Sequence, residues 1–490
     1  MKGRKFKGLL LISLLLLFVV SLLSHGPSFA QETVEYNATK SATIGSPSEI
    51  DAYTLIAEPG DRILLGLLKT SGELWPKITV LNSEGATIAT EFDSAHLELT
   101  IEVEGTPDID PGTDTDFWVY LPFITKVGST SQFKPAREVE ESISFTILIE
   151  DGFSGERTGS YNLFAQKLHS SIGATDIGYA DNLLGQISKP GEIDAFVIDG
   201  KEGEVLLARM GQVSEELWQK VRLYDPYGVP LIEDSDVDLA EIKYTLPQAG
   251  KYTMLVSDGF NGSNVGGYRL FVQRLNPPIG VTGLMTGKII NGNITHQAEM
   301  NVYSFTAEAE DVMLLSMTKT SGTMWEQMRL FDSDGNELSE ESDVNQAEIL
   351  FSASKADTYY LLTSDGFRGL WTGGYNFYSQ KVNNPAEATE INGGDTLSGS
   401  IMLVGEADTY TYSSAGDGIL RLKMVRSSGS LWQQIRVYDP AGNLVGEDSG
   451  SVEAELQVQL AAEGKYTILV SDGLNGTLTG SYNITALKVR

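Results

Sequence analysis

Gly250-Lys-Tyr-Thr-Met-Leu-Val-Ser-Asp258-Gly-Phe-Asn-Gly262 is a short run rich in β-branched and aromatic residues, broken by Asp-Gly and a second Gly three residues on. It reads as a strand that ends in a tight turn. The same reading returns at Gly464-Lys-Tyr466 through Asp472. Asp151, Asp258, Asp365 and Asp472 each open the DG-x-x-G loop, 107 residues apart, and Tyr161, Tyr268, Tyr375 and Tyr482 follow in register. Trp218, Trp325 and Trp432 keep the same step, while Trp75 lies 36 residues too early, which places an insertion inside the first copy. A unit of 107 residues is a small domain rather than a solenoid turn. The chain is thus four tandem copies.

In the second copy, runs at 194–198, 205–209, 217–224, 241–246, 251–257 and 268–273 are short, apolar or alternating, and bounded by Gly, Pro, Asp or Asn. No stretch after residue 30 keeps a helical period for three turns. Seven or eight strands in about 100 residues predict an all-β fold, four antiparallel β-sandwiches of jelly-roll type. The expected boundaries are 31–170 with an insertion at about 104–140, then 171–277, 278–385 and 386–490. Connectors such as Asn276-Pro-Pro278 and Asn383-Asn-Pro385 predict a semi-extended string with limited bending.

Lys2, Arg4, Lys5 and Lys7, an apolar run from Leu9 to Leu23 and the small residues up to Ala30 follow the pattern of a cleaved export signal, which predicts a secreted or cell-surface protein with no further membrane span. The chain has no cysteine and carries a net charge of −31, or −35 once the four leader cations are removed. That charge speaks against nucleic acid and anionic lipid as partners. Five N-x-S/T sequons, at Asn37, Asn261, Asn293, Asn475 and Asn483, fit an exported chain.

The motifs Asp194-Ala-Phe196, Val221-Arg-Leu-Tyr-Asp-Pro-Tyr-Gly228, Gly250-Lys-Tyr-Thr-Met-Leu-Val256 and Gly267-Tyr268-Arg-Leu270 resemble the bacterial and archaeal pre-peptidase C-terminal domain over nearly all of each copy. The resemblance implies a jelly-roll-like module, found beside secreted proteases and in tandem on surface proteins, that binds or spaces without catalysis. The Leu-Trp pair and the DG-x-x-G loop depart from the family pattern, no protease domain precedes the copies, and the calcium or collagen sites of some members map to no numbered position here.

Candidate sites come from three features. The DG loops suit a turn with positive φ in which Asp151, Asp258, Asp365 and Asp472 cap backbone amides, with calcium as the alternative ligand; Arg368 inside the third loop opposes a metal. The repeated Trp75, Trp218, Trp325 and Trp432, joined by Trp371 in the third loop, fall on the polar face of their strand with Arg222 and Tyr224, either packed or serving as platforms for sugar rings. The insertion holds Asp108, Asp110, Asp114 and Asp116, the principal calcium candidates. Asp332-Ser-Asp-Gly-Asn336 resembles the start of an EF-hand loop but reads as a hairpin turn, like its counterparts in other copies. His96, His169 and His296 have no zinc-like spacing, and no G-x-S-x-G elbow occurs. The expectation is a non-catalytic array that attaches multivalently to an extracellular protein or polysaccharide, or acts as a spacer. A carbohydrate-binding array built on the Trp residues and a hydrolase with its site in the 104–140 insertion are the alternatives.

Overall fold

A computed structural model describes residues 32–105, 142–169, 172–214 and 216–489. The leader and the acidic insertion lie outside these residues. All regular elements among the described residues are β-strands, and each copy has nine of them rather than seven or eight. In the second copy a five-stranded sheet runs in the order Thr175–Asp176, Ile193–Gly200, Gly250–Asp258, Gln219–Tyr224, Pro230–Asp236. Its first pair is parallel and the rest are antiparallel. The opposing four-stranded sheet is antiparallel throughout, in the order Asn182–Ile187, Gly266–Arg274, Val205–Gln212, Leu239–Thr245. The other three copies repeat both orders. The architecture is four tandem β-sandwiches.

Alternation sends every second side chain into the space between the sheets. In the second copy Leu206, Ala208 and Met210 meet Val221, Leu223, Met254 and Val256 there. Each core also contains a hydrogen-bonded tyrosine. Tyr268 Oη donates to Asp194 Oδ2 at 2.6 Å, Tyr161 to Asp51 at 2.7 Å and Tyr482 to Asp408 at 2.6 Å. In the third copy Asn301 Nδ2 donates to Tyr375 Oη at 3.0 Å instead. This pairing explains the D-x-Y/F opening: it satisfies the one polar atom of an otherwise buried ring. Burial pushes the Asp194 carboxyl up to about 6, with Tyr268 opposing the shift and Glu192 adding to it. A folded pKa above the ordinary aspartate value means that the favourable contribution is complete below about pH 4 and is lost as pH rises towards 6. Asp194→Asn, the amide found naturally at Asn301, should therefore raise stability by roughly 1–2 kcal/mol at pH 7 and by little at pH 4. Urea unfolding at the two pH values checks this; an equal change at both would refute it.

By contact density the chain divides into two units, the first copy to residue 165 and the three later copies together. Within the second unit successive sandwiches are docked. Val205, Leu207, Phe271 and Leu275, on the outer face of the second copy's four-stranded sheet, form one buried cluster with Met300, Val302, Phe331 and Leu362 of the third copy. Val312, Leu314 and Val382 of the third likewise meet Tyr438 and Leu469 of the fourth. This is why Val205 to Met210 is buried at every residue: both faces of the strand are covered. The connectors are pinned rather than extended. Asn276 Oδ1 accepts Val205 N–H at 2.6 Å while its Nδ2 donates to Gly203 O at 2.7 Å, and Asn383 does the same with Val312 and Glu310. Gln273 clips the backbone of Ile279 through both amide atoms, at 3.0 and 3.1 Å, and Gln380 clips Ala386 at 3.1 and 3.3 Å.

Candidate functional site

The DG loop is organised by its aspartate. Asp258 Oδ1 accepts Trp218 N–H at 3.2 Å and its Oδ2 accepts Asn264 N–H at 3.1 Å. Asp151, Asp365 and Asp472 accept the equivalent pairs from Trp75 and Arg157, Trp325 and Trp371, and Trp432 and Leu478. At Asp151 burial is outweighed by the N–H groups of Ser154, Trp75, Arg157 and Gly155, which hold the carboxyl below its ordinary range. At Asp365 and Asp472 burial wins and the carboxyl is raised. Thus one carboxylate ties the residue after the core Leu or Met to the far end of the loop, by bonds directed at the oxygens a metal would need. Among the described residues no group of three or more acidic, His or Cys side chains converges. Asp108, Asp110, Asp114 and Asp116 lie outside the described residues.

The two glycines of the motif serve different purposes. Positive φ falls on the second, Gly262 at 70° and Gly476 at 70°, together with the residue before it, Asn261 at 56° and Asn475 at 58°. The first is not in that region. A Cβ on Gly259 would come within 2.1 Å of Ser235 Oγ and 3.1 Å of Trp218 Cδ1, so this glycine makes room for the Ser235 side chain and for the edge of the indole.

The tryptophans are half-buried, and the aromatic residue at the loop tip covers them. Trp218 and Phe260 stack with centroids 5.5 Å apart and planes at 11°, Trp75 and Phe153 lie at 4.9 Å and 52°, and Trp325 and Phe367 at 5.3 Å and 50°. Leu474 takes the tip position in the fourth copy. Phe153 and Phe260 remain 59% and 51% exposed, so these are surface platforms and not core aromatics. Trp371 stacks on Phe367 at 4.1 Å and 12°, and also packs on the third core.

The face assigned from alternation as polar is not a solvent face. Arg329 and Phe331 are 8% and 0% exposed, and Arg436 and Tyr438 are 8% and 2% exposed. Arg329 reaches into the second copy, where its Nη1 donates to Glu241 Oε1 at 2.7 Å, and Glu241 Oε2 also meets Arg209 Nε at 3.1 Å. Arg436 forks onto Glu348 of the third copy at 2.8 and 3.3 Å. Arg368 of the third DG loop pairs with Asp238, and a Cβ on Gly369 would touch Leu239 and Arg209. The third loop is therefore also part of a joint, which accounts for a cation where the sister loops have Ser or Asn. The Asp332 hairpin is a turn whose carboxylate accepts Asp334 and Asn336 N–H at 3.0 and 2.9 Å. The sequence reading missed the Arg329–Glu241 and Arg436–Glu348 pairs and the Gln273 and Gln380 clips. Their signal was the 107-residue recurrence of polar residues inside apolar strands.

No helix among the described residues is long and apolar enough to cross a membrane. No family model matches the chain, and no curated protein matches it. Among solved structures it is similar to the pre-peptidase C-terminal domain of a Bacillus anthracis collagenase, with 22% identity over 21% of this chain and 97% of that one, at a TM-score of 0.18. The CUB1-EGF-CUB2 domains of rat MASP-1 match with 9% identity over 42% of this chain and 99% of theirs, at a TM-score of 0.14. A triple jelly-roll protein of an archaeal virus matches with 12% identity over 63% and 89%, at 0.15.

Proposed function

We propose that this is a secreted or cell-surface, non-catalytic protein that holds its sandwich modules at fixed spacing and attaches multivalently to an extracellular protein or polysaccharide. The observation that carries this reading is the docking of the second, third and fourth copies through shared apolar clusters and interlocked Arg–Glu pairs. Docked modules present repeated loops at fixed separations, and weak contacts then gain avidity without new chemistry when the spacing matches the target. The half-exposed aromatic pairs favour a carbohydrate-binding array as the second reading, since sugar rings stack on such faces. A hydrolase sited at 104–140 is the rival from another class.

Because the chain has no cysteine, spin labels can be placed cleanly at Tyr227→Cys and Leu444→Cys, both exposed and in the second and fourth copies. A single narrow distance distribution is expected, and it should broaden in Arg329→Ala with Phe331→Ala. A broad distribution in the otherwise unaltered chain would remove the spacer reading. Deleting 104–140 should leave attachment to cells or matrix intact, whereas a hydrolytic activity that vanished with that segment would establish the rival.

A further inference from the structure

The sixth residue after each loop aspartate decides what lies on the aromatic platform. Its backbone N–H bonds the aspartate in all four copies, so Arg157, Asn264, Trp371 and Leu478 occupy equivalent places. In the first copy the Arg157 guanidinium covers the platform, with Cζ 4.1 Å from the Phe153 centroid and 4.9 Å from that of Trp75. In the third copy the Trp371 indole lies on Phe367. The second copy has a short side chain here, and it turns inward: Asn264 Nδ2 donates to Asp258 Oδ1 at 3.3 Å. Trp218 and Phe260 are left as a parallel pair that no side chain of their own loop covers, with Phe260 half exposed and the Asp258 carboxylate beside them.

The first copy, where Trp75 and Phe153 are tilted by 52° rather than parallel, therefore shows in cis what the equivalent place on a Trp–Phe pair accepts. A guanidinium is flat, stacks on aromatic faces and loses less hydration than an ammonium on doing so. The chain's net charge of −31 favours a cationic visitor over an anionic one. We propose that the Trp218–Phe260 platform receives an arginine side chain from a basic extracellular protein segment, in the place that Arg157 fills within the first copy. This rests on the attachment reading above and names its partner class.

The test uses the full chain and an acetylated hexa-arginine peptide, with hexa-lysine as the equal-charge control and cellohexaose as a neutral one, by calorimetry at low ionic strength. Hexa-arginine should bind more tightly than hexa-lysine. Phe260→Ser, at a half-exposed tip, should weaken it roughly tenfold without changing the melting temperature. Asn264→Arg should do the same by filling the platform in cis, and hexa-lysine binding should not respond to Phe260→Ser. Equal binding of both peptides, indifferent to either substitution, would reduce the effect to net charge and overturn the proposal. So would cellohexaose binding that disappears in Phe260→Ser, which would assign the platform to sugars. Attachment of the same variants to cells separates this site from the broader function: attachment that persists alongside a negative peptide result removes the site alone, while an unaltered chain that never attaches removes the attachment reading itself.

Discussion

Replacing Glu326 by Gln should stabilise the third copy by roughly 2–4 kcal/mol at pH 8.5 and have almost no effect at pH 4. Glu326 is fully buried, and neither carboxyl oxygen makes a well-formed hydrogen bond to another described residue; the Lys319 ammonium stands 4.0 Å away. Burial pushes the carboxyl up to about 8, against the weaker pulls of its own backbone N–H and of Lys319 and with Asp343 and Asp365 adding to the rise. An acid whose folded pKa exceeds its ordinary value of 4.5 favours folding most when protonated, so that advantage is complete below about pH 4.5 and lost as pH climbs to about 8. The second and fourth copies carry Gln219 and Gln433 here, whose Nε2 atoms donate to Leu217 O at 3.0 Å and Leu431 O at 2.9 Å, and the first carries Pro76. An amide can make that bond at any pH, which a carboxylate cannot. Chemical denaturation at pH 4, 6 and 8.5 would show a gap that widens with pH. A gap of constant size would mean that folding leaves the titration of this carboxyl unchanged and would refute the prediction.

Phe331→Ala should cost about 3–5 kcal/mol and split the unfolding of the second unit into separate transitions. Phe331 is fully buried, and it lies in the cluster that joins the second copy to the third. The Arg329 guanidinium and the Lys243 ammonium approach its ring at 5.5 and 5.6 Å. Truncation leaves a cavity in a surface that two sandwiches share, so their coupling falls together with their stability. Calorimetry should resolve one dominant transition for the unaltered unit and at least two for the variant. A single transition that simply moves to lower temperature would show that the rest of the joint, including the Arg329–Glu241 and Arg368–Asp238 pairs, keeps the copies coupled without the Phe331 ring.

The contrast between these residues shows how far the chain could be read without coordinates. Strand after strand was legible because the determinants are local: alternating apolar residues, DG and Pro-Gly punctuation, and a 107-residue register that gives four copies. The loop aspartate was legible for the same reason, since it caps amides within its own turn as well as the N–H of the repeated Trp. Alternation also placed Arg222 and Tyr224 on the polar face of their strand, away from Val221 and Leu223, and in the third copy Phe331 is likewise divided from Met328 and Leu330. What it could not supply is what lies beyond that face. A period of two separates the faces of a strand, but only the approach of a second sandwich makes the outer one another interior. The connectors carry the same lesson: Asn276-Pro-Pro278 has the composition of a hinge, and it is pinned because Gly203 and Val205, some 70 residues earlier, come within hydrogen-bond reach. The sequence by itself determined the number of modules, their all-β class and the loops they repeat, since each of these is set within a strand or a turn. Only the tertiary structure decided that the later modules dock, and that the second copy alone leaves a stacked Trp–Phe pair without a covering side chain from its own loop, because both depend on groups distant in sequence meeting in space.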